Sequence, residues 1–340
     1  MKTLNAAIIG CGAIHATHVE ALKQLPNVSL RAIAETDVNR GRQLAALYGC
    51  HFYHNYHEML LDDAIDVVHI CTPHDRHKPM ILAALAAGKQ VFCEKPAVMS
   101  ALDVAEIQTA TLDASGILGI CYQNRLNPTS IAIGQQLQAD TIGKMLAIKA
   151  VLTWSRTDSY YTDSPWRGQH ATEGGCLLIN QAIHTLDLMQ WFGQGVVRVK
   201  GVVDSSWLAE VIEGEDSAMA TFAFRNGARG LFYASNCHTA NSPLQLEIHG
   251  EKGTLQLEGN ELWRVRDGTR QKLASDVPPD GSGKSYWGVG HQQAIRQFYA
   301  AIENPAAGRW CGINEAAQSL QIVDAIYRSS QLRRWINLEK

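Results

Sequence analysis

The sequence predicts an α/β protein of two domains. The first is a doubly wound parallel sheet; the second is an α+β domain with an open, largely antiparallel sheet. Three observations carry this expectation. Residues 1–122 alternate short apolar runs with helical stretches of about ten to fifteen residues, the pattern of βαβ units. Beyond residue 122 strands follow one another directly, punctuated by glycines. The length, 340 residues, suits two domains of roughly 150 residues each.

Taken in order, residues 4–9 form the first apolar run, which ends in Gly10-Cys11-Gly12. A helix is expected over 13–25, a strand over 28–34 and a helix over 38–48 that Gly49 stops. Strands at 66–71, 90–93 and 117–121 alternate with helices at 75–87 and 101–115. Right-handed crossovers make 1–122 one doubly wound domain. In 123–340, residues 145–154 alternate as a longer strand, 155–172 are a polar, aromatic loop, and 177–192 are a strongly apolar helix. Strands follow at 196–207, 217–224, 228–235, 244–249, 254–258 and 261–265. Residues 278–283 read as a loop, and helices at 291–303 and 314–334 finish the chain.

Composition excludes several classes. Hydrophobic residues make up 46%, too many for a disordered or collagen-like chain. With 30 Lys+Arg against 33 Asp+Glu the net charge is −3, which argues against a basic nucleic-acid or membrane-surface binder. No run approaches the roughly 18 apolar residues of a transmembrane helix. The N-terminal residues lack a signal-peptide apolar region, so a cytoplasmic protein is expected. Eight cysteines, none in a C-x-x-C spacing, read as reduced thiols in apolar runs.

Gly10-Cys11-Gly12-Ala13-Ile14-His15 stands where a strand turns into a helix. The first glycine allows the tight turn and the second lets the backbone approach a pyrophosphate. The helix N-terminus, with Ala13 and Ile14, supplies free N–H donors. The third fingerprint position is His15, so the motif alone is weak; the βαβ context is what makes it a Rossmann dinucleotide site. The second strand ends at Glu35, placed to accept from a ribose 2′-OH and to repel a 2′-phosphate. NAD is therefore expected as cofactor, with NADP disfavoured. Asp37 suits a helix cap instead.

Three further segments matter. Thr72-Pro73-His74-Asp75-Arg76-His77 follows one strand, and Glu94-Lys95-Pro96 follows the next. Gly174-Gly175-Cys176-Leu177-Leu178-Ile179-Asn180-Gln181-Ala182-Ile183-His184-Thr185-Leu186-Asp187 opens the long helix of the second domain. This set resembles the glucose–fructose oxidoreductase / inositol dehydrogenase (Gfo/Idh/MocA) family over nearly the whole chain. The resemblance implies that Lys95 contacts nicotinamide and substrate, that His184 is catalytic, and that Thr72, Pro73, His77 and Glu94 lie at the cofactor. The family often has Asp four residues before the histidine, where this chain has Asn180. The run N-Q-x-I-H-x-x-D is similar to a branch that includes nucleotide-sugar dehydrogenases. The resemblance also implies a homodimer or homotetramer.

Oxidation of a secondary alcohol needs a hydride acceptor, a base for the hydroxyl proton and a donor for the developing alkoxide. His184 suits the proton, because an unperturbed imidazole titrates at about 6.5. Lys95 follows a parallel strand at the carboxyl edge and suits the alkoxide; a neutral Lys95 as base is the alternative. On an α-helix Asn180 and His184 would be i and i+4 on one face, with Asn180 positioning a substrate hydroxyl. Asp187 either orients the imidazole or lies on the helix surface. Tyr161, Trp166 and Arg167 form a candidate substrate wall, since aromatic faces stack on sugars and Arg forks onto carboxylate or phosphate. The other reading of that loop is a subunit interface. Gln123 and Asn124, with Arg125, follow the last parallel strand within reach of nicotinamide or substrate. Trp287 and His291 are further candidates. His51, His54 and His57 straddle a strand and turn, and no metal site is expected.

The expected function is NAD-dependent hydride transfer from a secondary hydroxyl of a sugar, sugar derivative or cyclitol. The partners are then a polyol, sugar or nucleotide-sugar substrate, with no nucleic acid and no membrane. The alternatives are an NAD-requiring glycosidase that oxidises transiently, and a non-catalytic nucleotide-responsive regulator.

Overall fold

The computed structural model describes residues 3–276 and 288–338. The chain divides into two compact units, Met1–Gln123 with His291–Ala316, and Asn124–Gly290 with Ala317–Lys340.

The sheet of the first unit contains β1 (Leu4–Ile9), β2 (Val28–Ala34), β3 (His51–Tyr53), β4 (Val67–Ile70), β5 (Gln90–Cys93) and β6 (Leu118–Ile120). All pair in parallel, in the order β3-β2-β1-β4-β5-β6. That is the doubly wound order whose direction reverses between β1 and β4, where ligands bind beyond the carboxyl ends. The crossovers are α1 (His15–Lys23), α2 (Val38–Tyr48), α3 (Tyr56–Leu60), α4 (His74–Ala86) and α5 (Val104–Asp113), the last entered through a 3-10 turn at Ala101–Asp103. β4 is buried at every residue, as a strand covered on both faces must be. β3 is the short strand expected at His51, whereas α3, only five residues long, was not expected.

The second unit contains α6 (Pro128–Gln138), β7 (Met145–Thr153), α7 (Asp158–Thr162) and α8 (Ile183–Phe192). Then come β8 (Val196–Asp204), β9 (Ser217–Phe224), β10 (Arg229–Ser235), β11 (Gln245–Gly250), β12 (Gly253–Glu258), β13 (Glu261–Arg266) and β14 (Thr269–Ser275). Its nine-stranded sheet runs β14-β13-β12-β11-β7-β10-β9-β8-β15, where β15 is Ile336–Asn337. Every pairing is antiparallel except β7 with β10. One face is buried by residues such as Ile148, Phe222 and Phe232, and the other leaves Val202, Met219 and Leu231 about half exposed. α10 (Ile313–Leu332) lies along β8, where its Ser329 and Ser330 hydroxyls accept from Gly201 N at 3.0 Å and Val203 N at 3.1 Å.

The expectation that 123–340 forms one domain needs correction. α9 (His291–Glu303) belongs to the first unit. Phe298 packs on Phe92 with ring centroids 5.1 Å apart, and the Tyr299 hydroxyl meets His69 Nε2 at 3.0 Å. An amphipathic period marks α9 as a helix, but the sheet it covers is chosen by these long-range contacts. The expected loop at 278–283 and the candidate Trp287 lie outside the described residues.

Candidate active site

At the switch point of the first unit, Gly10 has φ +87°, and a Cβ there would stand 2.7 Å from Thr72 Cγ2 and 2.9 Å from Cys71 O. Only glycine lets the ends of β1 and β4 approach so closely. A Cβ at Gly12 would meet nothing within 4 Å, so the backbone there borders open space. Ala13 is exposed and Ile14 half-buried beside it, and α1 starts with no side-chain cap. Its first N–H groups suit an anion such as a pyrophosphate. Glu35 is buried at the end of β2, and its carboxylate accepts from Cys11 N at 2.9 Å and from Asp37 N at 3.0 Å. Arg40 stands 3.3 Å from the same carboxylate. Burial alone would raise the Glu35 pKa; the N–H groups of Asp37 and Cys11, with Arg40, outweigh it and hold the group ionised below its ordinary range. His15, at the third fingerprint position, meets Gly12 O at 2.5 Å and the Tyr48 hydroxyl at 3.0 Å.

Thr72 and Pro73 follow β4, half-buried, and Pro73 sits at the N-cap of α4. His77 is fully buried, with Nδ1 2.7 Å from Pro96 O and Nε2 2.8 Å from Thr72 O. Expected at the cofactor, it instead sits between a carbonyl of the turn after β4 and one of the turn after β5; the neutral ring donates to one of them, and the protonated ring to both. Burial pushes its pKa down, while the two carbonyl oxygens pull toward the charged ring. Lys95 is half-buried directly after β5, on a cis bond to Pro96.

Glu94, also expected at the cofactor, is turned into the unit. It meets His18 Nε2 at 2.9 Å, His18 Nδ1 meets His69 Nδ1 at 2.8 Å, and His69 Nε2 meets the Tyr299 hydroxyl at 3.0 Å. Neutral rings satisfy this chain in one direction only. Tyr299 donates to His69, His69 donates to His18, and His18 donates to Glu94. Burial would raise the Glu94 pKa, but His18 holds it far below the carboxylate range. Burial pushes His69 well down and takes His291, 3.9 Å from Glu94, to about 4. One ligand atom each of Glu94, Cys121 and His291 lie within 4.8 Å of one another. A metal there would need the Cys121 thiolate, which burial and the Glu94 charge oppose, and would compete with His18 for Glu94. Gln123 is buried, with its Oε1 3.7 Å from the Cys121 sulfur.

In the second unit the segment expected as one α-helix is two. Leu177–Gln181 is a π turn, closed by Ala182 N on Leu177 O at 2.8 Å, and α8 begins at Ile183. The wider turn shifts Asn180 from simple i, i+4 stacking over His184, and such turns recur at functional sites. Both residues are half-buried. Buried acids that the sequence reading missed hold the segment. Glu215 accepts from Leu178 N at 2.7 Å and from the Tyr327 hydroxyl at 2.9 Å. Glu173, fully buried, accepts from Gly168 N at 2.6 Å and from the Asn180 amide. The latter bond explains the asparagine: an aspartate at 180 would set one carboxylate against another. Asp187 neither lies on the surface nor reads as an imidazole partner. It is 1% exposed, and Arg125 forks onto it through Nε and Nη2, both at 2.7 Å. Asn124, just before Arg125, keeps a buried Oδ1 without a hydrogen-bond partner among the described residues.

The loop preceding this segment differs from expectation in one residue. Tyr161 is 2% exposed and packs with Cys176, Leu208 and Ile212, its hydroxyl accepting from Asn236 Nδ2 at 3.0 Å. It is a core side chain. The ring between the arginines is that of Tyr160, whose hydroxyl accepts from Gln181 Nε2 at 3.2 Å. Trp166 and Arg167 are half-buried beside it.

A glycine turn at the switch point of a parallel sheet, with an acid ending β2, defines a dinucleotide-binding protein of the NAD type. Residues 4–121 match an oxidoreductase family with an NAD-binding Rossmann fold, and residues 131–256 match the Gfo/Idh/MocA C-terminal domain. The chain belongs to the Gfo/Idh/MocA family of NAD-dependent oxidoreductases. It is 25% identical to D-apiose dehydrogenase of Paraburkholderia graminis, over 100% of this chain and 91% of that one. It is 25% identical to inositol 2-dehydrogenase of Rhizobium meliloti, over 99% of each. The solved structure of levoglucosan dehydrogenase with NADH and L-sorbose has the same fold, with a TM-score of 0.90 at 22% identity over 100% of both chains.

Proposed function

We propose that the protein transfers a hydride from a secondary hydroxyl of a sugar, sugar derivative or cyclitol to NAD. The observation that carries this reading is Lys95 at the carboxyl end of β5, in the sheet whose switch point holds Gly10, Gly12 and Thr72. A cation at a parallel strand end belongs to chemistry at the cofactor. Two relatives of full length named as a sugar dehydrogenase and an inositol dehydrogenase support the substrate class. When bound, NAD accepts the hydride. Gly12, Ala13 and Ile14 receive its pyrophosphate, Glu35 a ribose hydroxyl, and Thr72, Pro73 and Gln123 line its path. His184 takes the hydroxyl proton and Lys95 stabilises the alkoxide as charge develops. Asn180 and Asn124 orient the substrate hydroxyls, and Trp166 and Arg167 contact the rest of it. His77 and Glu94 act by holding the turns that carry Thr72 and Lys95.

No helix among the described residues is long and apolar enough to cross a membrane, and all eight cysteines are free. Free thiols in this number support a reducing compartment, the cytoplasm. The half-exposed apolar face of the second sheet supports a homodimer or homotetramer.

The test follows reduced-cofactor absorbance with NAD and a panel of sugars, inositols and nucleotide-sugars. Lys95→Ala and His184→Ala should each lower kcat about 100- to 10,000-fold while cofactor binding persists. Full turnover in both variants would remove these roles. Glycoside cleavage without net reduced cofactor would select the glycosidase instead.

A further inference from the structure

The loop before the π turn holds an arginine whose bonding is incomplete. The Arg167 guanidinium carbon lies 4.1 Å from the centre of the Tyr160 ring and 5.4 Å from that of Trp166. Its Nη1 donates to Tyr160 O at 3.1 Å. Its Nε is buried and has no hydrogen-bond partner among the described residues. No described carboxylate pairs with it; the buried Glu173 is committed to Gly168 N and the Asn180 amide. Arg156 adds a second guanidinium, 4.9 Å from the same Tyr160 ring and 4.9 Å from that of Trp154.

These contacts fix the plane of Arg167. Two aromatic rings hold the cation by its face and a carbonyl holds one end of the fork. The opposite edge, Nε with Nη2, presents two parallel donors, the pattern that matches a carboxylate or a phosphate. A buried N–H left unmet is unfavourable, and a bound water, ion or ligand oxyanion would complete it. Tyr160 then places the edge in the fold. Its hydroxyl accepts from Gln181, which follows Asn180 in the π turn and lies three residues before His184. An anion on Arg167 is thereby registered to the segment that carries the proposed base.

We propose that Arg167, oriented by Tyr160 and Trp166, binds an anionic substituent of the substrate, so that the enzyme prefers an acidic sugar derivative over the neutral sugar. This rests on the dehydrogenase reading. The shared chemistry is an oxyanion, either a sugar carboxylate or a phosphate ester.

The experiment compares matched sets on the NAD-loaded enzyme: an aldose, its uronic acid, its 6-phosphate and its nucleoside diphosphate form. Both kcat/KM and Kd by calorimetry are measured. An anionic member should exceed its neutral partner by about 10- to 100-fold, with the uronate and phosphate arms telling the two sources apart. Arg167→Met should collapse that ratio toward one, chiefly through KM, and Arg167→Lys should restore part of it, because a point charge replaces the fork. Equal or better use of the neutral members, or an unchanged ratio in Arg167→Met, overturns the proposal. If no sugar is oxidised but the acidic ones still bind through Arg167, the dehydrogenase reading fails and the anion site stands. A misfolded Arg167→Met would show in its melting temperature, and Arg167→Lys then carries the comparison.

Discussion

Arg125 and Asp187 form a buried fork-to-fork pair, with two bonds of 2.7 Å, and the Ser319 hydroxyl donates to the same carboxylate at 2.7 Å. Asp187 lies on α8, one turn beyond His184, and Arg125 lies one residue beyond Asn124. The pair therefore clamps together the two stretches that carry polar site residues of the second unit. Such a pair contributes little net stability over an apolar replacement, but breaking it leaves a buried charge uncompensated.

From this follows the first expectation. Asp187→Asn should cost about 3–5 kcal/mol in urea unfolding, because the Arg125 guanidinium stays buried without its counter-charge. Replacing both residues with apolar ones of similar size should recover most of that loss while leaving catalysis impaired. A cost below about 1 kcal/mol for Asp187→Asn would mean that the fork does not hold the folded unit together.

Glu35 and Arg40 make the second. The Glu35 carboxylate takes Cys11 N and Asp37 N and lies 3.3 Å from Arg40. Glu35→Ala removes an acceptor for the ribose hydroxyl and releases a cation that suits a 2′-phosphate. The preference for NAD over NADP, read as a ratio of kcat/KM, should fall about 10- to 100-fold, with most of the change in KM. An unchanged ratio would show that cofactor choice is made elsewhere.

How far these features could be read in advance depended on their range along the chain. β1, β2 and β5 are short, mainly apolar runs stopped by glycine or a charged residue, and the structure keeps their expected bounds. Lys95 and His184 could be proposed from sequence because each lies inside a short, recognisable motif. Glu173 and Glu215 were missed because they carry no local pattern; their roles exist only through Asn180 and Leu178, reached after folding. Part of the chain's content of 13 histidines has the same explanation. His18 and His69 are 51 residues apart and become one hydrogen-bonded chain only when α1 lies on the sheet. Tyr160 and Tyr161 are adjacent, and only packing decides which ring enters the core. α6, α7 and β14 also went unforeseen: Thr269–Ser275 is exposed or half-exposed throughout and shows no apolar alternation.

The buried histidines give a third expectation. His291 titrates at about 4 in the folded chain, against about 6.5 when unfolded. Between those values the unfolded chain binds more protons, so stability rises with pH across the window and is fully present above it. The gap is about 3 kcal/mol, and His69 and His77 are displaced by burial in the same direction. Glu94 acts likewise at lower pH: its depressed pKa contributes stability above the ordinary carboxylate value, which is lost as pH falls toward the folded one. The melting temperature should therefore begin to fall just below pH 7, well above the carboxylate range. His291→Gln should show a shallower slope. A melting temperature that stays level down to pH 5 contradicts the assignment.

The last expectation concerns the uncovered face of the second sheet. Val202, Met219, Tyr233 and Val151 lie in register across β8, β9, β10 and β7, making one transverse row. Val202 is 46% exposed and Met219 53%, and Leu231 on the same face is 52% exposed. On this face the apolar row is bordered by Lys200, Thr221 and Arg229 on the same strands, and an exposed apolar strip with a polar border suits a contact with another surface. Two copies related by a two-fold axis would set row against row, since a two-fold contact is self-complementary. The flanking Lys149–Glu247 pair, 2.9 Å apart on β7 and β11, would form a polar rim of the kind that borders such contacts. Light scattering should give the mass of a dimer or tetramer. Met219→Glu places like charges near the axis and should shift the mass toward 37.3 kDa with the circular dichroism unchanged. A wild-type chain that is monomeric at micromolar concentration would show that something other than a second copy covers this face.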